Sequence, residues 1–241
     1  MAQRAAIVTG ASSGIGLAIA HMLGQEGYAL TVAARRPEKL TAAADELRAA
    51  GYDVNDVAGP LSEEDQVKAV VASHRERFGR LDVLVNNAGV GIGAPVAEIQ
   101  SKRLDMQLDV NLRTIVLFYR EAVELLRAAA AENGTAQVVN TSSISGKRGQ
   151  AWLSVYSATK AGVVGWTEAM NKELAPEGIK SCALCPAFVD TPMTDFAKAG
   201  GVAAEQMIAT TDIAEAVRML LKVSGACLIP EIIFERPGDA L

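Results

Sequence analysis

Short runs of apolar, often β-branched residues alternate along this chain with segments long enough to be helices. The runs expected as strands are 5–9, 29–33, 53–57, 81–86, 137–141, 180–185 and 228–234, and the helical stretches between them include 14–27, 36–50, 63–78, 101–131 and 156–175. Several runs are apolar without a break, as strands covered on both faces should be. In the stretch from Arg36, Pro37 lies near the start and Gly51 past the end, which is helix punctuation. Strand–helix alternation of this kind builds a parallel sheet with helices on both faces and right-handed crossovers. No Pro/Ser-rich linker and no repeat divides the chain, so residues 1–241 are read as one doubly wound α/β domain. Its seven parallel strands are expected in the order 3-2-1-4-5-6-7. That order opens a crevice at the carboxyl ends of strands 1 and 4.

The ends of those strands are chemically unusual. Strand 1 runs into Thr9-Gly10-Ala11-Ser12-Ser13-Gly14-Ile15-Gly16, and a helix begins at once. Glycines let the backbone turn sharply and approach a ligand without a Cβ in the way. The helix start offers free N–H groups and a positive dipole end to a pyrophosphate. Strand 2 ends in Arg35-Arg36, where a carboxylate would bind the ribose 2′-hydroxyl of NAD. Two guanidinium groups there fit a 2′-phosphate instead, which favours NADPH over NADH. Asn86-Asn87-Ala88-Gly89 ends strand 4, and its small residues would let a ribose pass close to the backbone.

Tyr156 and Lys160 lie four residues apart in a helical stretch and therefore share a face. A phenol is a poor acid at neutral pH, with a pKa of about 10, and a neighbouring ammonium is expected to lower it. Bringing it to about 7 corresponds to about 4 kcal/mol. Such a phenol can deliver a proton to a carbonyl oxygen as hydride reaches the carbon. Ser142 and Ser143 close strand 5 after Thr141, where a hydroxyl can hold a carbonyl oxygen. Asn111 is a polar residue inside an amphipathic helix; a buried amide needs partners, and water or backbone would link it toward Lys160.

In their joint order, "TGASSGIG", "NNAG", the asparagine of "DVNL", "NTSSISG", "YSATK" and "PAFVDTPM" resemble the short-chain dehydrogenase/reductase family, from Ala5 to about Met193. The resemblance implies a Rossmann fold and an oxidoreductase interconverting a ketone or aldehyde and an alcohol. It makes Tyr156 the proton donor, and Lys160 the group that tunes it and holds the nicotinamide ribose. Ser143, thirteen residues before Tyr156, becomes the substrate-orienting serine in preference to Ser142, and Asn111 the fourth member and part of a proton relay. Cofactor contacts are implied at Gly10, Ser12, Ser13, Gly14, Ile15, Gly16, Arg35, Arg36, Leu61, Asn87, Ala88, Gly89 and Thr141. Pro186, Val189 and Thr191 are implied at the nicotinamide. Two departures stand out: Pro60 replaces the usual adenine-contacting aspartate, leaving the Leu61 backbone, and Pro186-Ala187 replaces the usual Pro-Gly. The C-terminus also lacks the frequent glycine pair.

Pocket walls are expected from Ile144, Gln150, Trp152, Leu153, Phe188 and Met193, and a substrate lid over 194–212, with Gly200-Gly201 as its hinge. Family likeness also implies a homodimer or homotetramer paired through the two long helices. The net charge of −5 argues against nucleic acid. No apolar run approaches the ~20 residues that span a bilayer, and the N-terminus leads straight into a strand, so a cytoplasmic protein is expected. Cys182 and Cys185 form a C-x-x-C within a strand, where their side chains point to opposite faces; no metal is expected. His21 and His74 sit in helical stretches with no evident partner. Two other readings remain: a non-catalytic NADPH-binding regulator of the same fold, and a nucleotide-sugar epimerase or dehydratase. The second usually needs a longer C-terminal lobe.

Overall fold

A computed structural model describes residues 3–195 and 202–237. The strands are β1 (Ala5–Thr9), β2 (Ala29–Ala34), β3 (Val54–Ala58), β4 (Val83–Asn86), β5 (Ala136–Thr141), β6 (Ile179–Pro186) and β7 (Glu231–Phe234). All pair in parallel, in the order β3-β2-β1-β4-β5-β6-β7. The helices among the described residues are α1 (Gly14–Gln25), α2 (Pro37–Ala49), α3 (Glu64–Phe78), α4 (Ser101–Leu108), α5 (Thr114–Asn133), α6 (Ser154–Leu174) and α7 (Thr210–Lys222).

The strand sequences dictate two cores. In β1, Ala6 and Val8 join one apolar cluster with α1, α2 and α7, while Ile7 joins the other with α3, α5 and α6. Successive side chains alternate in the same way in β4, with Val83 and Val85 on one face and Leu84 on the other. Both faces of the sheet are thereby covered, which is why these strands read as unbroken apolar runs. Cys182 and Cys185 fall in separate clusters, and burial pushes their thiols up to about 12 and about 11.

Three expectations need correction. The segment 101–131 is not one α-helix. Between α4 and α5, Asp109–Arg113 forms a π-turn, in which the Thr114 N–H reaches back five residues to Asp109 O. The Thr114 hydroxyl lies 2.9 Å from both Asp109 O and Leu61 O, tying the bulge to the loop after β3. The last strand begins at Glu231, because Pro230 has no N–H to give the ladder and uses only its carbonyl, toward Ala183 N at 2.9 Å. The histidines do have partners. His74 is fully buried, its Nε2 donating to Arg80 O and its Nδ1 accepting from the Thr31 hydroxyl, both at 2.8 Å. Burial lowers its pKa to about 4, so it stays neutral and pins α3 to β2. His21 meets Glu46 across α1 and α2 at 2.7 Å.

Candidate active site

The cleft begins where β1 meets α1. Gly10 and Gly14 adopt φ of +66° and +58°, which L side chains rarely do. A Cβ on Gly10 would lie 2.9 Å from Ala88 Cα, and one on Gly16 would lie 2.5 Å from Gly10 O and 2.6 Å from Asn87 Nδ2. A Cβ on Gly14 would meet Thr191 at 3.0 Å, so the loop after β6 closes over this turn. The α1 start at Ser13 receives no side-chain cap, leaving its first N–H groups for a ligand. Asn87 braces the floor: its Nδ2 donates to Thr9 O at 3.2 Å and its Oδ1 accepts from the Thr141 hydroxyl at 3.1 Å. The Thr9 hydroxyl accepts from the Asn87 and Ala88 N–H groups. A bare helix start and a cradle that any Cβ would fill suit a pyrophosphate.

Arg35 and Arg36 extend from the end of β2, exposed and without a carboxylate partner among the described residues. Leu61 buries its side chain in the core, and its carbonyl accepts from Thr114. Pro60, beside it, is exposed.

Lys160 is buried, and its Nζ donates to Thr141 O at 2.7 Å. A Cβ on Gly89 would stand 3.4 Å from both Lys160 Nζ and Asn111 Oδ1, so the two side chains converge over that glycine. Asn111, aimed inward by the π-turn, accepts from Val90 N at 2.8 Å and donates to Val90 O at 2.9 Å and Thr159 Oγ1 at 3.1 Å. Both its amide hydrogens are thus taken by protein, and one Oδ1 lone pair remains. The two serines separate. Ser142 donates to Lys160 O at 2.8 Å inside the structure, whereas Ser143, which accepts from Ser145 N at 3.1 Å and donates to Pro186 O at 3.5 Å, shares the cavity wall with Tyr156.

The electrostatics differ from the expectation for Tyr156. Burial pushes its phenol up from the ordinary value, opposed only by the nearby Ser143 hydroxyl. Burial also lowers the Lys160 ammonium to about 8. The ammonium stands 5.7 Å from the Tyr156 ring centroid and spends a hydrogen bond on Thr141. Among the protein's own groups, desolvation therefore outweighs the attraction between phenolate and ammonium.

Tyr156 and Ser143 lie on the wall of a cavity of about 530 Å³. Ile144, Gln150, Trp152, Leu153, Phe188 and Met193 all line it. Sequence reasoning missed Gly91, Gly93 and the Arg148–Glu235 ion pair, at 2.9 Å, on the same wall. Arg148 and Glu235 come from distant parts of the chain, and no local pattern announces them. Pro186 ends β6. Val189, buried, pairs with Ile208, and Thr191 caps the short turn Pro192–Thr194. Of the segment 194–212, residues 196–201 lie outside the described residues, and Gly200-Gly201 with them. Its far end is anchored, since Thr210 opens α7 and Asp212 accepts from Ala209 N at 3.0 Å.

A sequence model described as short chain dehydrogenase matches residues 4–200. The chain belongs to the short-chain dehydrogenase family. It is thus an NAD(P)H-dependent oxidoreductase acting on CH–OH and C=O groups. A protein assigned as a ketoacyl reductase in Streptomyces coelicolor is 43% identical over 189 residues, 78% of this chain and 71% of that protein. The 3-oxoacyl-(acyl-carrier-protein) reductase FabG of Staphylococcus aureus is 37% identical over 80% of this chain and 77% of its own. Among solved structures, a variant of the actinorhodin polyketide ketoreductase with NADPH superposes with a TM-score of 0.86 at 33% identity, covering 97% of each chain. No described helix is long and apolar enough to cross a membrane.

Proposed function

We propose that this short-chain dehydrogenase uses NADPH to reduce a ketone or aldehyde with an apolar body, Tyr156 giving the proton. The observation behind this reading is that Tyr156 and Ser143 share the wall of one mainly apolar cavity, with Lys160 and Asn111 converging over Gly89. Bound in the cradle, the dihydronicotinamide supplies the hydride. The first turn of α1 with Gly10, Ser12, Ser13, Gly14, Ile15 and Gly16 holds the pyrophosphate, and Arg35 and Arg36 take the 2′-phosphate. Solved relatives of similar fold contain NADPH or an NADP derivative, though one from Brucella melitensis contains NADH.

A proton donor must be protonated at neutral pH, as a phenol is. Burial makes giving that proton up harder, and the nearby Lys160 ammonium offsets part of the cost. Ser143 holds the carbonyl oxygen, and Tyr156 transfers its proton to that oxygen as it becomes an alcohol. Lys160 keeps two ammonium hydrogens free of Thr141 for the ribose hydroxyls, and a charge nearby lowers the cost of the transient phenolate. Asn111 orients Val90 and offers its last lone pair to the reprotonation path. Thr141, Leu61, Asn87, Ala88, Gly89, Pro186, Val189 and Thr191 complete the cofactor's surroundings. Residues 1–241 form one domain in this reading, with 194–212, of which 196–201 lie outside the described residues, as its lid. The protein works in the cytoplasm as a homodimer or homotetramer.

The test is a panel of ketones and aldehydes, with NADPH or NADH, followed by absorbance. Turnover faster with NADPH supports the reading. Tight NADPH binding with no oxidation across the panel replaces it with the non-catalytic regulator.

A further inference from the structure

We propose that Trp152 is a stacking platform that makes this cavity prefer carbonyl substrates carrying a flat aromatic ring about two carbons from the carbonyl. This rests on the reductase reading of the same site.

The backbone at Trp152 is the starting point. Its φ of +69° is the only positive value at a non-glycine residue among those described. Gln150 O accepts from Leu153 N at 3.2 Å, closing a four-residue turn in which Trp152 holds the third position. Turns with positive φ at that position ordinarily use glycine or asparagine, and a bulky residue there is an outlier. The turn is fixed from both sides. Gln150 N donates to the Ser157 hydroxyl at 3.2 Å, and Trp152 O accepts from Ala94 N at 2.8 Å. Glycine would serve all of these bonds, because none of them uses the Trp152 side chain. What tryptophan adds is its indole, and strain of this kind gathers at ligand sites.

The indole is also provided for. It lies against Gly93, and a Cβ at Gly93 would fall inside the ring system. Packing against the neighbouring chain thus fixes one face, while the residue stays 56% exposed on the wall of the cavity. A single exposed apolar residue is ordinary on a surface; this one stands on the wall of the cavity, where a ligand ring can cover it.

The spacing sets the ligand. A Cβ at Gly91 would be 3.7 Å from Tyr156 Cε2, so Gly91 faces the proton donor as Gly93 faces Trp152. Gly91 and Gly93 lie at most roughly 7 Å apart, so the Tyr156 ring and the indole flank one short stretch of wall, and a ring tethered to the carbonyl carbon by two methylenes probes that stretch within a cavity of about 530 Å³. Flat rings gain from offset or edge contact with the indole, whereas a puckered ring of the same size gains only burial.

The matched probes are 4-phenyl-2-butanone and 4-cyclohexyl-2-butanone. The native enzyme should favour the phenyl ketone in kcat/KM by ~3- to 10-fold, mainly through KM. Trp152→Gly suits the backbone, so Tm should not fall, yet the ratio should approach one. Trp152→Phe should keep most of the preference. A native ratio near one, or an unchanged ratio in Trp152→Gly, overturns the proposal. If neither ketone is turned over, the reductase reading fails for both, and binding decides the platform. In Trp166→Phe the remaining indole is Trp152. Quenching of its fluorescence by 4-phenyl-2-butanol but not by 4-cyclohexyl-2-butanol supports the platform without the reaction. Equal or absent quenching overturns it.

Discussion

Gly16 and Trp152 stand at opposite ends of one cleft and are held in opposite ways. At Gly16 the wall is the Gly10 backbone and the Asn87 side-chain amide, which leave no room for even a methyl group. At Trp152 the wall is a half-exposed side chain imposed on a backbone that would prefer glycine. The nucleotide end is close-packed, so the shape it accepts is fixed by the main chain, which is common to many sequences. The substrate end is built from side chains projecting from turns, which can change without disturbing the sheet. A family can thus keep one cofactor and vary its substrates, and the two ends should respond differently to mutation.

The largest effect is expected where the two ends meet. Tyr156→Phe removes the proposed proton donor and should lower kcat by about 10²–10⁴-fold, while the NADPH Kd stays within about threefold because the ring remains. Stopped-flow NADPH oxidation and a fluorescence titration measure the two separately. Turnover near the native rate would place the acid elsewhere.

Away from both ends, toward the start of β4, the buried scaffold should register pH. His74 has a folded pKa of about 4 against an ordinary 6.5, so the unfolded chain takes up the proton first. The stability that neutral His74 supports is complete above pH 6.5 and is lost as pH falls through 4. At most about 3 kcal/mol is involved. Denaturant unfolding at pH 7, 5.5 and 4 should show this slope. His74→Gln should flatten it while lowering stability at pH 7. An identical slope in the variant would assign the acid loss to other groups.

A smaller effect is expected at the rim of the nucleotide end. Arg35→Ala with Arg36→Ala removes two charged donors that the sheet presents to solvent. NADPH should bind about 10- to 100-fold more weakly, with NADH changed by no more than about threefold. Equal losses for both cofactors would mean that the arginines support the strand end and do not read the phosphate.

The two ends also differed in how far they could be read from sequence. The strands and the glycine turn were legible because each is a local pattern: apolar runs of the right length, and glycines at fixed spacing before a helix; the strand order followed from the doubly wound architecture those patterns imply. The six expected pocket residues all reach the cavity because they flank motifs that are themselves local. The π-turn at Asn111 was not legible, since it depends on Thr114 meeting Leu61 from another loop. The positive φ of Trp152 was hidden because nothing in a tryptophan suggests it. The phenol pKa was misjudged because the pairing of Tyr156 with Lys160 shows in the spacing, while the burial that overrides it does not.

The smallest effect sharpens the comparison most. Arg148 and Glu235 pair at 2.9 Å on the cavity wall, 48% and 29% exposed. Water screens a pair this open, and its contribution to stability should be below about 1 kcal/mol. If apolar side chains define the substrate end, Arg148→Gln should leave kcat/KM for a neutral ketone within about twofold, since its stem still packs. Thermal unfolding should move by only a few degrees. A collapse of activity on neutral ketones, with folding intact, would show that the charge pair clasps the wall in place. The substrate end would then be as tightly built as the glycine cradle, by ions in place of backbone, and the contrast between the two ends would not hold.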